Sequence, residues 1–108
     1  MIIEYPTGSI REGKTWKTKM KCNYGRVPKT VSTDRCNIDV YIRDNPGNGK
    51  IYCILQIKEN GQFDEEKFMI GFSSKEEAKK MYLEHIPEKL FGGIAEITIE
   101  QFKKRFNV

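Results

Sequence analysis

Apolar residues recur with a period of two through most of this chain, and with a period of three and four after Ser73. Ile2 to Tyr5 reads as a short strand, stopped by Pro6 and the Thr7-Gly8-Ser9 turn. From Ser9 to Lys21 the alternation is loose. Trp16, Thr18 and Met20 would share one face, and Thr15, Lys17, Lys19 and Lys21 the other. This predicts a strand or ribbon with an exposed basic face and Trp16 as a packing residue. Tyr24-Gly25 signals a turn and Pro28 a second break. Beyond them, Ile38, Val40 and Ile42 alternate with Asp39 and Tyr41, which turns Asp39 away from the aliphatic face, into solvent or a polar cavity.

Asp44-Asn45-Pro46-Gly47-Asn48-Gly49 is a strong turn signal. In Lys50 to Lys58, Ile51, Cys53, Leu55 and Ile57 alternate with Tyr52, Ile54 and Gln56; apolar groups on both faces predict a central strand. Asn60-Gly61 gives a tight turn, and Phe68, Ile70 and Phe72 mark the next strand, so that Ile38 to Phe72 reads as a three-stranded antiparallel meander. Ser73-x-x-Glu76 then has the form of a capping box. Ala78, Met81, Tyr82, His85 and Ile86 fall on one face of the helix it opens, which Pro87 ends. Gly92-Gly93 permits a turn, Ile94 to Ile97 a short strand, and Thr98-x-x-Gln101 caps a last helix with Ile99, Phe102 and Phe106 as its buried stripe. The pattern is α+β: a small, curved antiparallel sheet with two helices against it, one of them C-terminal.

Composition narrows the class. The 108 residues suit a single domain, 1–108, with one modest core. No apolar run approaches the roughly 20 residues needed to cross a bilayer, and Met1 to Pro6 lacks the layout of a secretory signal, so a cytoplasmic protein is the expectation. Cys22, Cys36 and Cys53 are scattered and odd in number, which fits reduced thiols. With one histidine, His85, they do not compose a zinc site. His85 lies near a helix C-terminus, where a cation suits the dipole.

The net charge of +4 is concentrated. Arg11, Lys14, Lys17, Lys19, Lys21, Arg26 and Lys29 are opposed only by Glu12 over that span, an electropositive stretch that attracts a phosphate compound, a nucleic-acid backbone or an acidic partner. It leads into Asp34 and Asp39. Further on, Asp64, Glu65 and Lys67 stand together, and Glu65 and Lys67, two apart, would leave a strand on one face.

The order of these elements resembles the soluble inorganic pyrophosphatases, and more closely the shortened pyrophosphatase-like domain of phage and mobile-element proteins. The resemblance rests on Glu4-Tyr5-Pro6-Thr7-Gly8-Ser9, Tyr24-Gly25, the acidic run from Asp34 to Val40, Phe63-Asp64-Glu65-Glu66-Lys67, Gly71-Phe72 and Gly92-Gly93-Ile94, and covers nearly the whole chain. It implies a barrel-like, OB-like sheet, a cytoplasmic setting (a host's, if phage-encoded), and Mg2+ or Mn2+ held over a diphosphate. Transferred residue by residue, it makes Asp34, Asp39, Tyr24 and Lys67 catalytic. It assigns Arg11, Arg26, Lys29, Tyr24 and Lys67 to phosphate, and Asp34, Asp39, Asp64 and Glu65 to metal. Glu4 and Arg11 match a family acid and a family cation more loosely. Where the family has the middle aspartate of its acidic run, this chain has Cys36, preceded by Arg35. A thiol is a soft ligand, ill matched to magnesium.

Two functional classes follow. One is an enzyme hydrolysing pyrophosphate or a related phosphoanhydride. The other is a catalytically degenerate scaffold serving as an accessory module that binds a protein or, through the basic stretch, nucleic acid. Aromatic interleaving beyond Trp16 and Tyr24 is sparse for base stacking.

Overall fold

A computed structural model of the chain describes residues 2–27, 38–43 and 49–106. Among these residues six strands form one sheet: β1 (Ile2–Tyr5), β4 (Asn23–Val27), β5 (Ile38–Ile42), β6 (Lys50–Ile57), β7 (Phe63–Ile70) and β8 (Phe91–Thr98), in the order β1-β4-β5-β7-β6-β8. Between β1 and β4, β2 (Ile10–Glu12) and β3 (Lys17–Lys19) make a separate two-stranded ribbon. The described residues also form two helices, α1 (Lys75–Leu83) and α2 (Ile99–Phe106), with a 3-10 turn at Glu88–Leu90.

The α+β expectation holds, with three corrections to the sheet. Among the described residues it is open, with β1 and β8 at its edges, rather than closed into a barrel. The predicted meander is not formed: β7 lies between β5 and β6, antiparallel to β6 but parallel to β5, with Val40, Tyr41 and Ile42 opposite Phe68, Met69 and Ile70. Tyr24-Gly25 is not a turn either, but the middle of β4. A Cβ at Gly25 would collide with the carbonyl oxygen of Ile2, so glycine here is what lets β1 pair closely.

Alternation buries both faces of the sheet. On one, Met20, Tyr24, Tyr41, Tyr52, Ile54 and Met69 pack with Ala78 and Tyr82 of α1. On the other, Val27, Ile38, Val40, Ile51 and Phe68 pack with Phe102 of α2. β6 is hydrogen-bonded on both sides, to β7 and β8, as its two apolar faces predict.

Details of the helices and turns shift by small amounts. The N-cap of α1 is Ser74, whose hydroxyl accepts from the Glu77 N–H at 3.1 Å, one residue beyond the predicted Ser73. The Thr98–Gln101 box forms: Thr98 N–H donates to Gln101 Oε1 at 2.9 Å and Gln101 N–H to Thr98 Oγ1 at 3.1 Å. Ile99 faces solvent instead of the core, while Phe102 is buried as predicted. Gly92-Gly93 lies inside β8, where the register with β6 shifts. A Cβ at Gly92 would sit 2.9 Å from the Leu55 carbonyl oxygen, and Gly93 holds φ +153°. The glycines serve close strand approach at a bulge, not a turn.

Candidate active site

The face of the sheet that carries Tyr24 and Tyr41 also carries Asp39, Glu65 and Lys67, because residues two apart along β4, β5 and β7 share it. Lys67 is at the centre. Its ammonium lies 2.5 Å from Glu65 Oε1, 3.0 Å from Asp39 Oδ2 and 2.8 Å from the Tyr24 hydroxyl oxygen. Its side chain is 4% exposed, while those of Asp39 and Glu65 retain 33% and 23%. Burial works against the charge on Lys67, but Tyr24, Asp39 and Glu65 outweigh it and hold the ammonium above the ordinary lysine pKa.

Arg11, on β2, brings a second cation across the ribbon. Its guanidinium carbon lies 4.2 Å from the centre of the Tyr24 ring and 5.2 Å from that of Trp16, and Nη2 donates to Tyr24 Oη at 3.3 Å. Burial raises the Tyr24 pKa against the pull of Lys67, so Tyr24 is a neutral phenol. Its oxygen accepts from Lys67 and Arg11, which leaves its own hydrogen for an acceptor.

The remaining predicted residues divide. Arg26 stands opposite Asp39 in the β4–β5 register, with Nε 3.9 Å from Glu4 Oε1. Asp64 is exposed and does not contact Lys67. It accepts from Gln56 Nε2 at 3.1 Å, while Gln56 Oε1 accepts from the Tyr82 hydroxyl at 2.7 Å. Glu66 points to the opposite face, where Arg105 and Cys53 hold it. Lys29, Asp34, Arg35 and Cys36 lie outside the described residues. Among the described residues, no three His, Cys, Asp or Glu side chains compose a metal cluster. Asp39 and Glu65 are nonetheless hard oxygen donors, partly open to solvent and already turned onto one cation, a set that suits an ion keeping most of its waters.

A cavity of about 610 Å³ opens beside Lys67, between the β2–β3 ribbon and the 3-10 turn. Several of its residues were not singled out for chemistry by the sequence. Gln56 is a polar side chain in an otherwise apolar strand, a signal that was available. Trp16, expected to pack inside, is 46% exposed and lines the cavity. His85, expected as a cation, is neutral: Nε2 accepts from the Lys21 N–H at 2.9 Å, so Nδ1 carries the hydrogen and donates to Met81 O at 2.8 Å. Burial lowers its pKa accordingly. Tyr41, between Tyr24 and His85, has a buried hydroxyl with no hydrogen-bond partner among the described residues.

The molecule is thus a small α+β domain with a constellation of acids and cations on one sheet face. The model of a family described as Inorganic Pyrophosphatase matches residues 1–107, and the chain belongs to the inorganic pyrophosphatase family. No curated protein and no solved structure matches it. Among the described residues, no helix is long and apolar enough to cross a membrane.

Proposed function

We propose that this face hydrolyses pyrophosphate or a related phosphoanhydride. The observation that carries the reading is the convergence of Asp39, Glu65 and Tyr24 on the Lys67 ammonium. Arg11 and Lys67, with Arg26 and Lys29, would draw in and hold the anion, and the Tyr24 hydrogen would donate to a phosphoryl oxygen. Asp39, Glu65 and Asp34, with Asp64 nearby, would hold the Mg2+ (or Mn2+) that the family uses. That ion supplies charge neutralisation at the phosphoryl groups and a more acidic water. In the hydrolytic step the water oxygen bonds to phosphorus, its proton passes to Asp39, and the bond to the bridging oxygen breaks. The departing phosphate stays paired with Lys67 and Arg11.

The test is phosphate release from pyrophosphate with magnesium, which Asp39→Asn should lower by a hundredfold or more, roughly the least that a positioned acid–base group contributes. Release unaffected by Asp39→Asn would refute the assignment.

Cys36 favours a second reading. With a thiol in place of the family's middle carboxylate, the site can retain anion binding without turnover and serve a phage or mobile-element accessory that binds a protein or nucleic acid. Under that reading wild-type protein releases no phosphate, and Cys36→Asp restores release.

A further inference from the structure

We propose that the cavity beside Lys67 takes a nucleoside di- or triphosphate, with the base on Trp16 and the anhydride at Arg11 and Lys67. The proposal rests on the phosphate reading of those two cations and adds the organic part of the ligand.

Size is the first argument. About 610 Å³ falls within the roughly 300–1,000 Å³ of pockets that enclose drug-sized molecules, far more than an inorganic diphosphate fills. Lining is the second. Arg11, Gln56 and Lys67 give the cavity its cationic and polar groups, but Trp16, Pro87 and Leu90 also line it. A pyrophosphate ion has no apolar surface to set against them; a heterocyclic base has two faces.

Trp16 is the third. It is the chain's only tryptophan, and it keeps nearly half its surface exposed where a packing residue would be covered. It is also held in place: its indole edge occupies the space that a Cβ on Gly13 would need, the Gly13 N–H donates to the Trp16 carbonyl at 2.9 Å, and Arg11 lies over the ring. The same Arg11 touches Tyr24, which touches Lys67. One side chain therefore joins an exposed aromatic platform to the cationic end. Stacking tolerates any base, so purines should be favoured over pyrimidines by area alone. With ADP, the water oxygen would bond to the terminal phosphorus and the bridging P–O bond would break, giving AMP and phosphate, with the water proton on Asp39.

Titration of the whole protein with MgADP and with magnesium pyrophosphate, by calorimetry and by the emission of its single tryptophan, tests this. MgADP should bind more tightly than pyrophosphate and shift the emission saturably. Trp16→Ala should cut the ADP-to-pyrophosphate affinity ratio about 5- to 150-fold, and Trp16→Phe should keep most of it. Equal affinities in wild type, or an equal effect of Trp16→Ala on both ligands, overturns the proposal. If Trp16→Ala does not fold, wild-type emission decides, and no saturable shift with MgADP overturns it. Pyrophosphate release without ADP preference defeats this inference alone. ADP binding at Trp16 without pyrophosphate release supports it and defeats hydrolysis.

Discussion

Glu65 and Lys67 leave β7 on the same face and meet at 2.5 Å, although Lys67 is almost wholly buried. A buried ammonium is tolerated only while its partners compensate for lost hydration. Removing it leaves Asp39 and Glu65 facing each other without the cation that holds them. Lys67→Met should therefore lower unfolding free energy by about 2–3 kcal/mol, discounted from a fully buried pair because both acids reach solvent. Urea denaturation reads this directly, and a neutral or stabilising substitution would mean that the cluster contributes nothing to the fold.

His85 ties α1 to the segment after the ribbon by accepting from Lys21 N–H, and only the neutral ring can accept. Its pKa is lowered in the folded state, so the unfolded chain binds the proton more readily and stability rises with pH. The contribution is full above the unfolded value, about pH 6.5, and is lost as pH falls through the lower folded value. His85→Gln should flatten that part of the stability–pH curve. An unchanged slope in the variant would assign it to other groups.

Tyr41 buries a hydroxyl that finds no partner among the described residues, and burial holds its pKa above the ordinary range. An unsatisfied buried hydroxyl costs roughly 1–3 kcal/mol. Tyr41→Phe keeps the edge-on ring contact with Tyr24 and removes that cost, so it should stabilise by about 1 kcal/mol, a rise of roughly 4 °C in Tm. A clear drop in Tm would show that the hydroxyl is satisfied.

Cys22 and Cys53 have pKa values pushed up to about 12, chiefly by burial and, at Cys53, also by the Glu66 carboxylate that its thiol contacts at 3.0 Å. Thiol reagents attack the thiolate. In a Cys36→Ser background, both should label on the order of a thousandfold more slowly in native protein than in urea, where the thiols return to an ordinary value of about 8.5. Rapid native labelling would contradict the burial described.

Those features that depend on neighbours in the chain were legible beforehand. The two-residue period put Asp39 opposite the aliphatic face and Glu65 beside Lys67, because strand parity is local. The capping box at Thr98 was legible for the same reason. Ser73 and Ser74 each have a glutamate three residues on, so the pattern could not choose between them. What the pattern could not supply was partner choice. Parallel β5–β7 pairing depends on contacts distant in sequence, and the β6–β7 hairpin made a meander the simpler reading. Gly92-Gly93 looked like a turn because close approach of another strand is invisible in one strand's sequence. Trp16 shares its predicted face with buried Met20, yet that face ends at a cavity.

Phosphate release from pyrophosphate with magnesium, compared across wild type, Asp39→Asn and Cys36→Asp, bears most directly on the site. Wild type should release phosphate, Asp39→Asn should lose a hundredfold or more, and Cys36→Asp should release it faster as the carboxylate set is completed. Silence from folded wild type would contradict hydrolysis as the native activity, whether or not Cys36→Asp restores release.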